Sequence, residues 1–152
     1  MKLLDNKIAV YSAHTNLDNA IDGVNKVLSD VLKLKNVQRH GMLAVGEVKE
    51  CSVSEFVDHV KDNLSVINLR CSAVQDKKIS KVAVLGGSGG DFVTLVSELG
   101  CDAFVTGEAS YHDAQLAYEN NLLLISAGHF ETENPVIDFL CNLIKQNANV
   151  EV

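Results

Sequence analysis

A histidine and a carboxylate stand four positions apart twice in this chain, as His14/Asp18 and His129/Glu133. In a helical turn that interval sets both side chains on one face, the geometry a metal ion needs from two ligands of one segment. Either pair alone is more often a surface ion pair or a helix cap. Two such pairs, each directly after an expected strand, put metal binding on an even footing with those structural roles. Imidazole and carboxylate together suit zinc, iron, manganese or nickel, and spacing does not choose among them. A third loop, Thr106-Gly107-Glu108, follows another expected strand, with His112 in the helix after it. The run Gly86-Gly87-Ser88-Gly89-Gly90 could offer backbone N–H groups to a phosphate. It lacks the Gly-Lys-Ser/Thr ending of a P-loop and the GxGxxG spacing, so it reads first as a tight turn beneath a closely packed helix. His40 and His59 have no carboxylate at a telling interval and read as surface or loop residues. The four cysteines, at 51, 71, 101 and 141, form no CxxC pair and read as reduced, partly buried thiols of a cytoplasmic protein. Cys101 is expected to pack rather than to act as a nucleophile.

The elements that must position these groups follow from periodicity. Lys7–Ala13 reads as a strand, and Asn19–Leu34 as a helix burying Ile21, Val24, Leu28 and Val31. Lys35–Gly41 is polar and reads as a loop before a strand at Met42–Val48. Ser52 and Glu55 make a capping box for a helix whose buried stripe is Phe56, Val57, Val60 and Leu64. Val66–Ala73 reads as a strand and Val74–Ser80 as a charged turn. Strands follow at Lys81–Leu85, Ala103–Thr106 and Leu122–Ala127. Helices are expected at Asp91–Leu99, with Phe92, Val96 and Leu99 inward, at Ser110–Asn120 and at Pro135–Gln146, where Pro135 fits the first turn. Strands alternating with helices imply an α/β fold with a largely parallel sheet, and one α/β domain over residues 1–152. In such a sheet, ligands collect at the carboxyl ends of strands, so the three loops are expected to converge.

Composition sets the outer limits. The chain has 152 residues, 47% of them hydrophobic and 22% charged, as ordinary globular proteins do. Lys and Arg number 13 against 20 Asp and Glu, a formal charge of −7. An acidic chain gains nothing from the counterion release that drives nucleic-acid binding, and Lys77, Lys78 and Lys81 are too small a cluster to reverse that. No apolar run approaches the roughly 20 residues that cross a bilayer. Asp5, Asn6 and Lys7 interrupt any signal-peptide core. Neither a membrane nor a nucleic acid is an expected partner.

Four ordered blocks carry a family resemblance. Tyr11-Ser12-Ala13-His14-Thr15-Asn16-Leu17-Asp18 with Gly23-Val24-Asn25 comes first, and Val84-Leu85-Gly86-Gly87-Ser88-Gly89 second. Thr106-Gly107-Glu108 with Tyr111-His112-Asp113-Ala114, then Ala127-Gly128-His129-Phe130-Glu131-Thr132-Glu133, complete the set. Together they resemble the NIF-three-like (Ngg-interacting factor three) family, also known as dinuclear metal centre proteins or GTP cyclohydrolase I type 2 homologues. The resemblance implies an α/β subunit, a toroidal homohexamer and two divalent metal ions in each subunit. It implies that Asp18, His129 and Glu133 are metal ligands, with Glu133 bridging the ions. His14 is carried over as a residue beside the ions, with Asn16, Thr106, Gly107 and His112 lining the pocket. It also implies an earlier segment whose His-His pair supplies further ligands. Only ten residues precede Tyr11 and no His-His dipeptide occurs. The chain therefore reads as the C-terminal portion of a longer family member with an incomplete dinuclear site. Two functions compete: a metal-dependent hydrolase acting on a nucleotide or another small phosphorylated ligand, and a non-enzymatic metal-binding or interaction scaffold. A plain α/β domain with structural His/acid pairs is the third reading.

Overall fold

A computed structural model describes residues 2–72 and 76–152. In chain order it contains α1 (Lys2–Asp5), α2 (Thr15–Asp18), α3 (Val24–Val31), β1 (Lys35–His40), β2 (Leu43–Ser52), α4 (Val53–Leu64), β3 (Arg70–Cys71) and β4 (Lys78–Ser88). A 3-10 turn at Gly90–Phe92 leads into α5 (Val93–Glu98), followed by β5 (Ala103–Glu108), α6 (Tyr111–Glu119), β6 (Leu123–Ser126), α7 (His129–Glu133) and α8 (Val136–Asn147). The strands form one mixed sheet in the order β1-β2-β4-β5-β6-β3. Its centre, β4-β5-β6, is parallel, while β1 on β2, β2 on β4 and β3 on β6 pair antiparallel.

The central strands are near-continuous apolar runs because helices cover both of their faces. Alternation along each strand then sorts side chains between two cores. Val82, Val84, Val105 and Ile125 point into a core with Leu28 of α3 and Phe56 and Val60 of α4. Ala83, Leu85, Phe104 and Leu124 point into the other, with Val93 and Val96 of α5 and Ala117 of α6. The capping box at α4 forms as its spacing requires: Glu55 N–H donates to Ser52 Oγ, and Ser52 N–H donates to Glu55 Oε2 at 2.7 Å. Of the expected α4 stripe, Phe56, Val60 and Leu64 are buried and Val57 is half-buried.

Several elements differ from the sequence expectation, each for a physical reason. Residues 7–13 form no strand; β1 and β3 occupy the sheet edges, and Ile8 and Val10 remain 54% and 65% exposed. The helix expected from Asn19 begins only at Val24, leaving Ile21 exposed in a turn. Lys35–His40, polar enough to read as a loop, is an edge strand, where backbone pairing to β2 needs no apolar face. Its Arg39 guanidinium donates to Ala20 O at 2.9 Å, tying that edge to the turn after α2. The strand expected over Val66–Ala73 is reduced to Arg70–Cys71, and Ala73 lies outside the described residues. Of the turn expected at Val74–Ser80, residues 74–75 lie outside them too, and Lys78–Ser80 belong to β4. β4 also continues through Gly86–Ser88, so only the end of the glycine run is a turn. Among the described residues, no helix is long and apolar enough to cross a membrane.

Candidate functional site

Because β4, β5 and β6 run parallel, their carboxyl ends share one edge of the sheet. The β5–β6 pairing extends past the strands: Ala127 N–H donates to Thr106 O and Gly128 N–H to Gly107 O. That brace launches α7 directly over the ends of β4 and β5, with His129 at its first position. Thr132, buried on the inner side of α7, accepts from Gly87 N–H at 3.1 Å, and its hydroxyl reaches Gly128 O at 2.9 Å. The short helix is thereby held on the β4 terminus.

On its outer side, His129 Nε2 stands 3.2 Å from Glu133 Oε1. The other ring nitrogen, Nδ1, stands 3.3 Å from Glu108 Oε1 at the end of β5. Gly87 lies directly beneath the His129–Glu133 pair, with φ +70. A Cβ there would collide with Glu133 Oε1 and come within 3.2 Å of His129 Nε2. Gly107 makes a similar allowance for the backbone: a Cβ would meet His129 Cα at 2.8 Å. Gly87 keeps open the space beside the two donor atoms, and in that respect these residues suit a small cation.

Asp18 reaches the same region from α2. Its backbone O accepts from Asn25 Nδ2 at 3.2 Å, while Asn25 Oδ1 accepts from Gly86 N–H at 2.8 Å. Asn25 is buried and so couples the Asp18 turn to the end of β4. His14, Asp18 and Glu133 line a cavity of about 390 Å³ whose remaining wall includes Leu17, Val24 and Phe130. Burial pushes the Asp18 carboxyl above its ordinary value, opposed by the nearby imidazoles of His14 and His129. The two donors of α7 are thus in place with Asp18 close by, and the set is not closed. Among the described residues, no three His, Cys, Asp or Glu side chains form a ready-made metal cage.

The remaining predicted residues divide. Asn16 shapes the loop, accepting from His14 N–H at 2.9 Å and donating to Tyr11 Oη at 3.0 Å. Thr106 is buried and donates to Gly87 O at 3.1 Å, so it braces β4 against β5 rather than facing the cavity. His112 is not brought there; it is exposed on α6, edge-on to Tyr111 with ring centroids 5.6 Å apart. Asn25, Glu108 and Thr132 stand within the motifs singled out above, but their spacing assigned none of them an individual role. Asn25 and Thr132 carry a signal only in hindsight, as polar residues on otherwise buried helix faces.

The model of the Duf34/NIF3 (NGG1p interacting factor 3) family matches residues 1–152. The chain belongs to the DUF34/NIF3 family. It is 37% identical over 148 residues to a GTP cyclohydrolase 1 type 2 homolog of Clostridium acetobutylicum, covering 90% of this chain and 55% of that one. The chain thus spans about half the length of this curated relative. Among solved structures, protein ybgI superposes with a TM-score of 0.91 at 27% identity, covering 99% of this chain and 62% of that one. Reduced HcgD from Methanocaldococcus jannaschii gives 0.81 at 29%, covering 98% and 61%. The NIF3-type α/β fold expected from the four sequence blocks is the fold observed.

Proposed function

We propose that this chain binds a divalent metal ion through Asp18, His129 and Glu133 and serves a hydrolase acting on a nucleotide or another small phosphorylated compound. The observation that carries the metal reading is the 3.2 Å approach of His129 Nε2 to Glu133 Oε1 over a glycine whose missing side chain leaves room beside both. Zinc, iron, manganese and nickel all accept this donor chemistry. When bound, such an ion acidifies water and polarises a phosphoryl or ring carbon–nitrogen centre. The protein's own part is positioning. Thr132 and the Gly128–Gly107 brace fix α7, Asn25 fixes the Asp18 turn, and the wall formed by Leu17, Val24 and Phe130 gives the cavity an apolar side. The name of the Clostridium acetobutylicum relative, a GTP cyclohydrolase 1 type 2 homolog, supports a nucleotide as the first substrate to try. The family resemblance further supports a second ion bridged by Glu133 and assembly into a homohexamer, both as parts of this proposal.

A second reading is a metal-binding scaffold without turnover. Incubating metal-loaded protein with GTP and a phosphoester panel separates the two. Turnover that disappears in Glu133→Ala supports the hydrolase, and product no higher than blank in both proteins supports the scaffold.

A further inference from the structure

We propose that Glu108 is the positioning residue for His129, holding the Nδ1 edge of the imidazole so that Nε2 is presented beside Glu133. This inference rests on the metal reading above. The ring lies between two carboxylates of different origin: Glu108 Oε1 is 3.3 Å from Nδ1, and Glu133 Oε1 is 3.2 Å from Nε2. Glu133 sits one turn along the same short helix and moves with His129. Glu108 belongs to β5, where it pairs with Ser88 of β4 and its backbone O accepts from Gly89 N–H. It is therefore the only one of the two anchored to the sheet. The side chain of His129 is 48% exposed, so packing alone does not fix the ring. For His14, the other histidine of the site, the contact at Nδ1 among the described residues is the neighbouring Thr15 hydroxyl at 3.4 Å, not a carboxylate on the sheet.

The chemistry of metal-bound histidine explains why a carboxylate belongs at this place. A ligating imidazole gives its second N–H to a carboxylate or carbonyl, which fixes the tautomer and raises the basicity of the ligating nitrogen. A neutral histidine side chain otherwise carries its proton mainly on Nε2, the nitrogen that must be bare to bind a cation. Glu108 Oε1, 3.3 Å from Nδ1, favours the proton on that nitrogen, which leaves Nε2 bare beside Gly87, where a Cβ would stand 3.2 Å from it. The side chain of Glu108 is itself 56% exposed, and an ion pair so open to water adds little to stability. What it supplies is orientation.

Parent, Glu108→Ala and Glu108→Gln chains are compared in three measurements: thermal unfolding, zinc titration by calorimetry, and nitrogen NMR of metal-free His129 at a pH where the ring is neutral. Thermal midpoints are expected to stay together. Glu108→Ala is expected to weaken zinc binding by about 10–100-fold and to lower the fraction of His129 carrying its proton on Nδ1. Glu108→Gln keeps an acceptor oxygen and is expected to recover part of both. Unchanged zinc affinity in Glu108→Ala, or an unchanged Nδ1–H fraction, overturns the assignment. A parent chain that takes up no zinc overturns the metal reading instead, and the tautomer measurement then decides separately whether Glu108 sets the ring.

Discussion

Gly87→Ala separates room for a cation from mere backbone tolerance. The residue sits at φ +70, where an L side chain costs about 1–2 kcal/mol. For a chain of this size that corresponds to a fall in thermal midpoint of about 2–8 °C. The new Cβ also strikes Glu133 Oε1 and crowds His129 Nε2. Glu133 is the flexible member, so its carboxylate swings away and one donor leaves the site. A loss of at least tenfold in zinc affinity is expected, about 1.4 kcal/mol. Gly100→Ala is the matched control. Gly100 has φ +67, and a Cβ there meets nothing within 4 Å. Both variants should therefore lose similar stability in calorimetric melts, while only Gly87→Ala loses zinc in isothermal titration. Equal zinc affinity in Gly87→Ala and Gly100→Ala would refute the idea that Gly87 keeps donor space open.

Other consequences are tested in the same way. Asn25→Ala breaks the link between Gly86 N–H and Asp18 O, leaving the half-buried Gly86 N–H without its acceptor; a loss of about 1 kcal/mol is expected by urea unfolding, with weaker zinc binding. Ser52→Ala removes the α4 cap far from the cavity and should cost about 1 kcal/mol while leaving zinc affinity at the parent value. Asp102 gives a pH signature. Burial pushes its carboxyl up, but backbone N–H groups of Lys81 and Ser80, the Ser80 hydroxyl and Lys77 outweigh this and hold it below its ordinary value. Its stabilisation is present above the unfolded value, near 3.9, and is lost as pH falls through the folded one. The gap in thermal midpoint between parent and Asp102→Asn should therefore be full at neutral pH and close in acid.

The sequence was most legible where one element carries the whole signal. His129 and Glu133 share α7, so their interval translated directly into a shared face. The His14/Asp18 interval spans a single turn in which His14 is the N-cap, with ψ −121, so the spacing marked the place without giving the geometry. Glu108 was hidden because its partnership with His129 runs between β5 and α7, and no local interval encodes it. Glycine composition made Gly86–Ser88 look like a loop, although β4 continues through them and uses Gly87 to pass beneath α7. β1 was lost to its polarity, since an edge strand is specified by backbone pairing rather than by an apolar face. Residues 7–13 show the converse: their apolar content reads as a strand, but they pair with no strand of the sheet.

Anomalous diffraction from crystals soaked in zinc or manganese addresses the metal site most directly. A peak is expected above Gly87, with a His129 ring nitrogen and carboxylate oxygens of Glu133 and Asp18 at about 2.0–2.2 Å. An ion bound elsewhere in the chain, with those three side chains not touching it, would contradict it.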